Sequence, residues 1–209
     1  MRPLLTNFPA TIKLITALGF MLFASSALSN TVIPAGTIMI DLTRPNEHQQ
    51  WKATNDNVMG GVSQGQLTFD DESSRFWGEI SLDNNGGFSS INRAIDDPLP
   101  PKVDRVAVSF IGDGRRYQLR LATWKNGNKI TYKHEFTTIK GQQQEKAFDL
   151  NKFQAVFRGR LINNAPELTA QDIKQVGLLI ADKQPGPFAL NLIQIRFQST
   201  QEVSGFEPL

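Results

Sequence analysis

The sequence predicts an all-β domain, a sandwich or barrel, on three observations. Apolar and polar residues alternate with a period of two along much of the chain, which is the pattern of half-buried strands. Turns rich in Gly, Pro, Asn and Asp separate these runs at short, even intervals, as in antiparallel sheets. No long stretch carries apolar residues at helical spacing.

The elements follow in order. Ile38, Ile40 and Leu42 open on a strand, and the polar segment 44–51, with Pro45 near its start, suits one helical turn. Leu67 and Phe69 form a short strand, and Phe76, Gly78, Ile80 and Leu82 form one face of the next. Residues 88–93 read as a strand, and three prolines break the chain over 96–102. Val106, Val108 and Phe110 alternate, and Gly112-Asp113-Gly114 predicts a hairpin into Tyr117, Leu119 and Leu121. A second hairpin is expected at Asn126-Gly127-Asn128, leading to Ile130, Tyr132, His134 and Phe136. Residues 147–150 are a shorter strand, and 153–161 are mixed. Thr169 and Asp172 suggest a capped helical turn. Residues 176–181 are apolar enough for a strand covered on both faces. In the last strand the apolar phase changes after Leu192, so a bulge is expected there unless both faces are buried. About ten strands result.

Two segments stand apart from this pattern. One is Asn55-Asp56-Asn57-Val58-Met59-Gly60-Gly61-Val62-Ser63; the other is Asn84-Asn85-Gly86-Gly87-Phe88-Ser89-Ser90. Glycine accepts positive φ freely, with Asn and Asp next in tolerance. The pair therefore predicts two sharply shaped loops. They are either turns that only shape the sandwich or a preformed surface site. Met59 and Phe88 are apolar groups that a plain turn does not require.

Residues 1–29 read as a secretory signal. Arg2 and Lys13 precede an apolar run over 14–24, and small residues follow, with cleavage expected after Ala27 or Ser29. The run is shorter than the ~20 residues of a membrane span, so residues 30–209 are expected as an exported domain, periplasmic or secreted, with no membrane span. Without Arg2 and Lys13, the 22 Lys and Arg fall to match the 20 Asp and Glu. A neutral chain gives no reason to expect nucleic acid. The absence of cysteine excludes disulfides, a cysteine nucleophile and thiolate metal sites.

The catalytic inventory is thin. The two histidines, His48 and His134, lie apart in sequence, and His134 is in phase with apolar strand residues. The Gly60 loop lacks the Gly-Lys-Ser/Thr ending of a phosphate loop, and Gly112-x-Gly114 has no helix after it. Asp56, Asn57, Asn84 and Asn85 carry oxygens suited to calcium without the spacing of a calcium loop. No catalytic residue, cofactor or metal is expected. Arg158 and Arg160, flanking Gly159, are of a type that marks partner surfaces. Trp77 and Trp124 lie on strand faces that are candidates for sugar platforms.

Several ordered motifs carry a resemblance. They are Trp51, the two glycine segments, Phe76-Trp77-Gly78, Leu82, and Tyr117-Gln118-Leu119-Arg120-Leu121. Phe157-Arg158-Gly159-Arg160, Gly177-Leu178-Leu179-Ile180-Ala181-Asp182 and Gly186-Pro187-Phe188 complete the set. Together they resemble the complex I intermediate-associated protein 30 family. The resemblance implies a galactose-binding-like jelly roll, a β-sandwich, and a non-catalytic role in assembly. The chain departs from the family pattern at Asn92, which stands before Arg93, and at glutamines 142–144. The expected partner is a protein, with a glycan as the alternative. The expected binding residues are Trp51, Asn55, Asp56, Asn57, Met59, Asn84, Asn85, Phe88, Arg158 and Arg160.

Overall fold

The computed structural model describes residues 37–125 and 127–200. The expected signal segment and Asn126 lie outside the described residues. The strands are β1 (Ile38–Asp41), β2 (Trp51–Asn55), β3 (Gln64–Phe69), β4 (Ser74–Ile80), β5 (Ser89–Ala94), β6 (Arg105–Ile111) and β7 (Arg116–Lys125). They continue with β8 (Asn128–Thr137), β9 (Gln143–Asp149), β10 (Gln154–Phe157), β11 (Arg160–Leu161), β12 (Ile173–Ile180) and β13 (Gly186–Gln198).

Two antiparallel sheets result. The six-stranded sheet runs β3-β4-β13-β6-β9, with β1 also paired to β13; the seven-stranded sheet runs β11-β10-β8-β7-β12-β5-β2. Residues of alternate phase from both sheets fill one apolar core, among them Phe76, Phe110 and Leu192 from one sheet and Ile91, Leu119 and Leu178 from the other. This is the jelly-roll β-sandwich that the alternating pattern and the family resemblance imply.

The phase change in the last strand is a bulge. The β13–β6 register shifts between Leu192 and Gln194, so that Leu190, Leu192, Ile195 and Phe197 all reach the core. The apolar run of β12 is likewise explained, since Val176 to Ile180 are buried at the middle of the larger sheet. The mixed segment 153–161 folds as the β10–β11 hairpin, whose turn residues Arg158 and Gly159 have φ of +47° and +80°. The helical turn expected after Arg44 is a single 3-10 turn, Glu47–Gln50.

One expected hairpin is absent. β6 pairs with β13 and β9, whereas β7 pairs with β8 and β12, so Gly112-Asp113-Gly114 carries the chain from one sheet to the other. The reason is Asp113. Its carboxylate accepts from the Arg115 amide (2.9 Å) and the Tyr117 hydroxyl (2.8 Å), and also from the Ala189 amide of β13 (2.8 Å). Turn chemistry is local, but these donors commit the turn to a crossover.

Candidate functional site

The two glycine segments meet around a single carboxylate. Asp56 opens a 3-10 turn, Asp56–Met59, which ends at Gly60 in the left-handed region (φ +90°). The Gly61 amide donates to the Asp56 carbonyl at 3.0 Å, which folds the carboxylate into the loop. Oδ1 accepts from the Ser63 amide at 2.9 Å, and Oδ2 from the Ser63 hydroxyl at 2.5 Å. Oδ2 also accepts from the amides of Gly87 (2.6 Å) and Phe88 (3.3 Å) in the second segment. Among the described residues no cation pairs with this carboxylate. Burial alone would raise the pKa of this carboxyl, but the Ser63 hydroxyl and the Gly87, Phe88 and Ser63 amides outweigh it and hold the group below its ordinary value.

The glycines serve this arrangement in two ways. Gly60 and Gly87 (φ +121°) occupy backbone that L side chains rarely adopt. Gly61 and Gly86 have no such φ. A Cβ on either would lie 2.4–2.5 Å from an Asp56 carboxylate atom. Asn84 and Asn85 (φ +55° and +59°) are both left-handed, which suits their residue type.

Asn55 adds a tie between sheets. Its Nδ2 donates to the Gly65 carbonyl of β3 at 3.1 Å, and its Oδ1 accepts from the Ser89 hydroxyl of β5 at 2.6 Å. The loops are thus fixed on both sides, and they present apolar side chains among exposed amides. Val58 and Met59 are each 68% exposed, and Val62 and Leu82 are also exposed. Asn57, Asn84 and Asn85 are exposed, and Phe88 is half-buried.

Two of the expected binding residues lie inside. Asp56 is fully buried, so it shapes the loops and does not face a ligand. Trp51 belongs to the core, where its Nε1 donates to Glu47 (3.2 Å), which also pairs with Arg93 (2.6 Å). Arg158 and Arg160 are exposed on the β10–β11 hairpin with Phe157 and Leu161. That hairpin and β2 are the opposite edges of the seven-stranded sheet. Six inter-strand steps of ~4.8 Å separate them by roughly 29 Å, so the arginines and the glycine loops form separate surfaces.

The same end of the sandwich holds a second carboxylate network that sequence reasoning missed. Asp182 follows β12, whose Ile180 pairs with Ser89. Its buried carboxylate takes a forked contact from Arg115, Nη2 to Oδ1 at 2.6 Å and Nε to Oδ2 at 3.0 Å. Arg115 Nη1 also donates to the carbonyls of Gly186 and Pro187, both at 3.0 Å. For Arg115, burial lowers the pKa and the hydrogen-bonded Asp182 more than restores it, leaving a net rise. Burial, followed by Asp113, pushes the Tyr117 hydroxyl far up. The signal was present as Arg115 and Asp182, but only the fold brings them together.

Two surface depressions bear on the candidate tryptophans. A groove of about 810 Å³ lies along Trp77, Arg75, Glu79, Gln64 and Gln66, reaching Arg115 and Pro187. Trp77 is 38% exposed, and its Nε1 is held by the Thr68 hydroxyl at 2.9 Å. A smaller hollow of about 270 Å³ lies over the seven-stranded sheet. Trp124, on that face, is 47% exposed, with Lys129 Nζ 5.1 Å from its ring centre. His134 packs on Phe148 (4.6 Å between ring centres) and Phe153. Among the described residues there is no cluster of three or more His, Cys, Asp or Glu suited to a metal, and no helix long and apolar enough to cross a membrane.

Comparison with known proteins decides the family. The profile of complex I intermediate-associated protein 30 matches residues 40–192. The chain belongs to the complex I intermediate-associated protein 30 family. The chain is also similar to the uncharacterized protein C9E9.15 of Schizosaccharomyces pombe, 26% identical over 173 residues, covering 72% of this chain and 79% of that protein. Among solved structures, the family 11 carbohydrate-binding module of Clostridium thermocellum in complex with a beta-1,3-1,4-mixed-linked tetrasaccharide aligns with a TM-score of 0.58. It is 11% identical and covers 78% of this chain and 96% of that one. The family 11 module of the cellulosomal cellulase Lic26A-Cel5E from the same organism gives 0.55 at 10% identity, covering 77% and 94%. At such identities the likeness is one of fold, a galactose-binding-like jelly roll.

Proposed function

We propose that this member of the family is a non-catalytic binding module that docks a protein partner on the end carrying its glycine loops. The observation that carries this reading is the exposed set Val58, Met59, Val62 and Leu82 on loops fixed by the Asp56 carboxylate. Apolar groups held rigidly in water are unfavourable for a free protein and favourable for one with a partner. Ordering them in advance also lowers the entropy lost on binding. The family name speaks of association with assembly intermediates of complex I, which supports a protein client. With the signal expected at residues 1–29, that client is an envelope or membrane-bound complex reached from outside the cytoplasm. A non-catalytic role is supported by the way the carboxylates of Asp56, Asp113 and Asp182 are used, each taken up by loop amides, hydroxyls or a guanidinium.

The chain has no cysteine, so single cysteines give unique attachment points. A cross-linker on Met59→Cys should capture a protein in intact cells, whereas one on Lys152→Cys should not. Val58→Asp with Met59→Asp should weaken capture at least tenfold with the melting temperature unchanged. Equal capture from both positions, or indifference to the two aspartates, would overturn the reading. A glycan in the Trp77 groove is the second reading, favoured by a fixed tryptophan among amide and charged side chains. It requires saturable glycan binding that Trp77→Ala abolishes.

A further inference from the structure

The outer face of the seven-stranded sheet carries an unusual distribution of charge. Across β7, β12 and β5, Arg120 stands opposite Gly177 and Gly177 opposite Asn92; one row on, Ala122 stands opposite Gln175. The centre of this face therefore bears Ala122 and Gly177, which have almost no side chain, and the 270 Å³ hollow lies over them. Gly177 is fixed by packing, since a Cβ there would lie 2.5 Å from the Ile91 carbonyl oxygen. Leu179, buried but outside the sandwich core, supplies more of the apolar floor. Around it stand Arg120, Lys129, Asn92, Gln175, Ser90 and Thr131.

Several cations elsewhere in the domain are neutralised by an acid. Arg93, Arg105, Arg115, Lys125, Lys133 and Arg196 each pair with a carboxylate. Among the described residues, neither Arg120 nor Lys129 has a carboxylate partner. The Arg120 guanidinium is oriented by the Gln118 side-chain oxygen, which accepts from Nη2 at 2.8 Å and Nε at 3.2 Å. Gln118 donates in turn to Glu135 at 3.1 Å, and Lys133 holds Glu135 at 2.7 Å. The acid of this face is thus neutralised by Lys133. Lys129 reaches across β7 to donate to the Gln175 side chain, and Gln175 donates to Asn92 at 2.6 Å. Burial lowers the pKa of both cations, and Arg120 lowers that of Lys129 further, so the pair repel across a shared space. Arg120 is half-buried and Lys129 exposed, and holding two cations over one hollow without an anion is unfavourable.

We propose that this hollow binds a carboxylate carried on a hydroxylated ring, that is, an acidic sugar residue of the uronic type. With its Nε edge turned to Gln118, the guanidinium keeps N–H donors for a planar carboxylate, which arginine grips in a forked fashion. Lys129 balances the remaining charge. Ala122, Gly177 and Leu179 offer a C–H surface for the ring. The amides of Asn92 and Gln175 and the hydroxyls of Ser90 and Thr131 match ring hydroxyls. The volume lies just below the ~300–1,000 Å³ of pockets for drug-sized ligands, which fits one ring. The hollow borders the second glycine segment at Phe88 and Ser90 but includes none of Val58, Met59, Val62 and Leu82, and it stands whether or not those four take a protein.

The test is an NMR titration of the full chain with glucuronic acid, galacturonic acid and their short oligomers. Saturable shifts are expected at the Gly177 and Leu179 amides. Arg120→Gln should weaken binding at least tenfold, Arg120→Lys should restore part of it, and Ala122→Leu should remove it by filling the hollow while both charges remain. The variants' own spectra report whether each is folded, and Arg120→Gln alone suffices if Ala122→Leu is not. Any of four results overturns the proposal: no shift at the hollow, equal binding of methyl galactoside, equal binding of inorganic phosphate, or uronate binding unchanged in Arg120→Gln. Occupancy by a glutamate tripeptide but not by uronates would assign the site to an acidic protein segment and also overturn it.

Discussion

Asp56 and Asp182 close the same end of the sandwich, yet they are held by opposite means. Asp182 is gripped by a guanidinium, charge against charge, and the fork also gathers the β12–β13 turn through carbonyls. Asp56 has only neutral donors, the Ser63 hydroxyl and three amides. An ion pair fixes one turn but takes a large side chain to do so. Neutral amides let two loops converge on one small anion, leaving their outer residues free for contact. The loops with an exposed apolar surface are the ones built in the second way.

Substitution should separate the two designs. Arg115→Met is expected to give the largest loss, about 3–5 kcal/mol by chemical denaturation, because Asp182 would stay buried without its counter-charge. Adding Asp182→Leu should recover much of that loss; an unchanged loss would show that charge neutralisation is not what the pair supplies. Asp56→Ala should cost about 3 kcal/mol at neutral pH, since it strips four donors of their acceptor. The folded Asp56 carboxyl titrates below its unfolded value. Its contribution is therefore present above about pH 4 and fades as the pH falls through the depressed folded pKa. Denaturation midpoints of the wild type and Asp56→Ala should converge in acid.

The glycines sharpen the contrast further. Gly61→Ala should cost about 1–3 kcal/mol through crowding, and most of that should vanish in an Asp56→Ala background. Gly60→Ala meets nothing within 4 Å, so its cost of about 1–2 kcal/mol is backbone strain and should be the same in both backgrounds. A double-mutant cycle measures the difference. Met59→Ser should shift stability by less than about 0.5 kcal/mol while reducing capture of the partner.

How much of this was legible in the sequence depends on the distance over which each feature is decided. The period of two gave the strands because alternation is a property of neighbours, and the phase change after Leu192 located the bulge for the same reason. The glycine segments were visible as unusual, but the purpose of Gly61 and Gly86 was not. It rests on Asp56, whose donors Gly87 and Phe88 lie 31 and 32 residues away. Gly112-Asp113-Gly114 reads the same for a hairpin and a crossover, and Ala189, 76 residues on, decides between them. Arg120 stands in the sequence only as part of the Tyr117-Gln118-Leu119-Arg120-Leu121 motif. Its lack of a carboxylate depends on β8, β12 and β5 together, and no local pattern reports it.

The strand at the middle of the six-stranded sheet is the last one among the described residues. β13 receives β4 and then β1 along one side and β6 along the other. A chain emerging from its N-terminus can form the β3–β4 and β7–β8 hairpins early, because their partners are neighbours. β1, the β3–β4 hairpin and the β6–β9 pair then wait with open edges until residues 186–198 arrive. Non-local pairing of this kind slows folding, and unpaired edges invite association with other chains. Maturation of this domain is therefore timed by delivery of its final segment, and the interval before that is when the chain most needs protection.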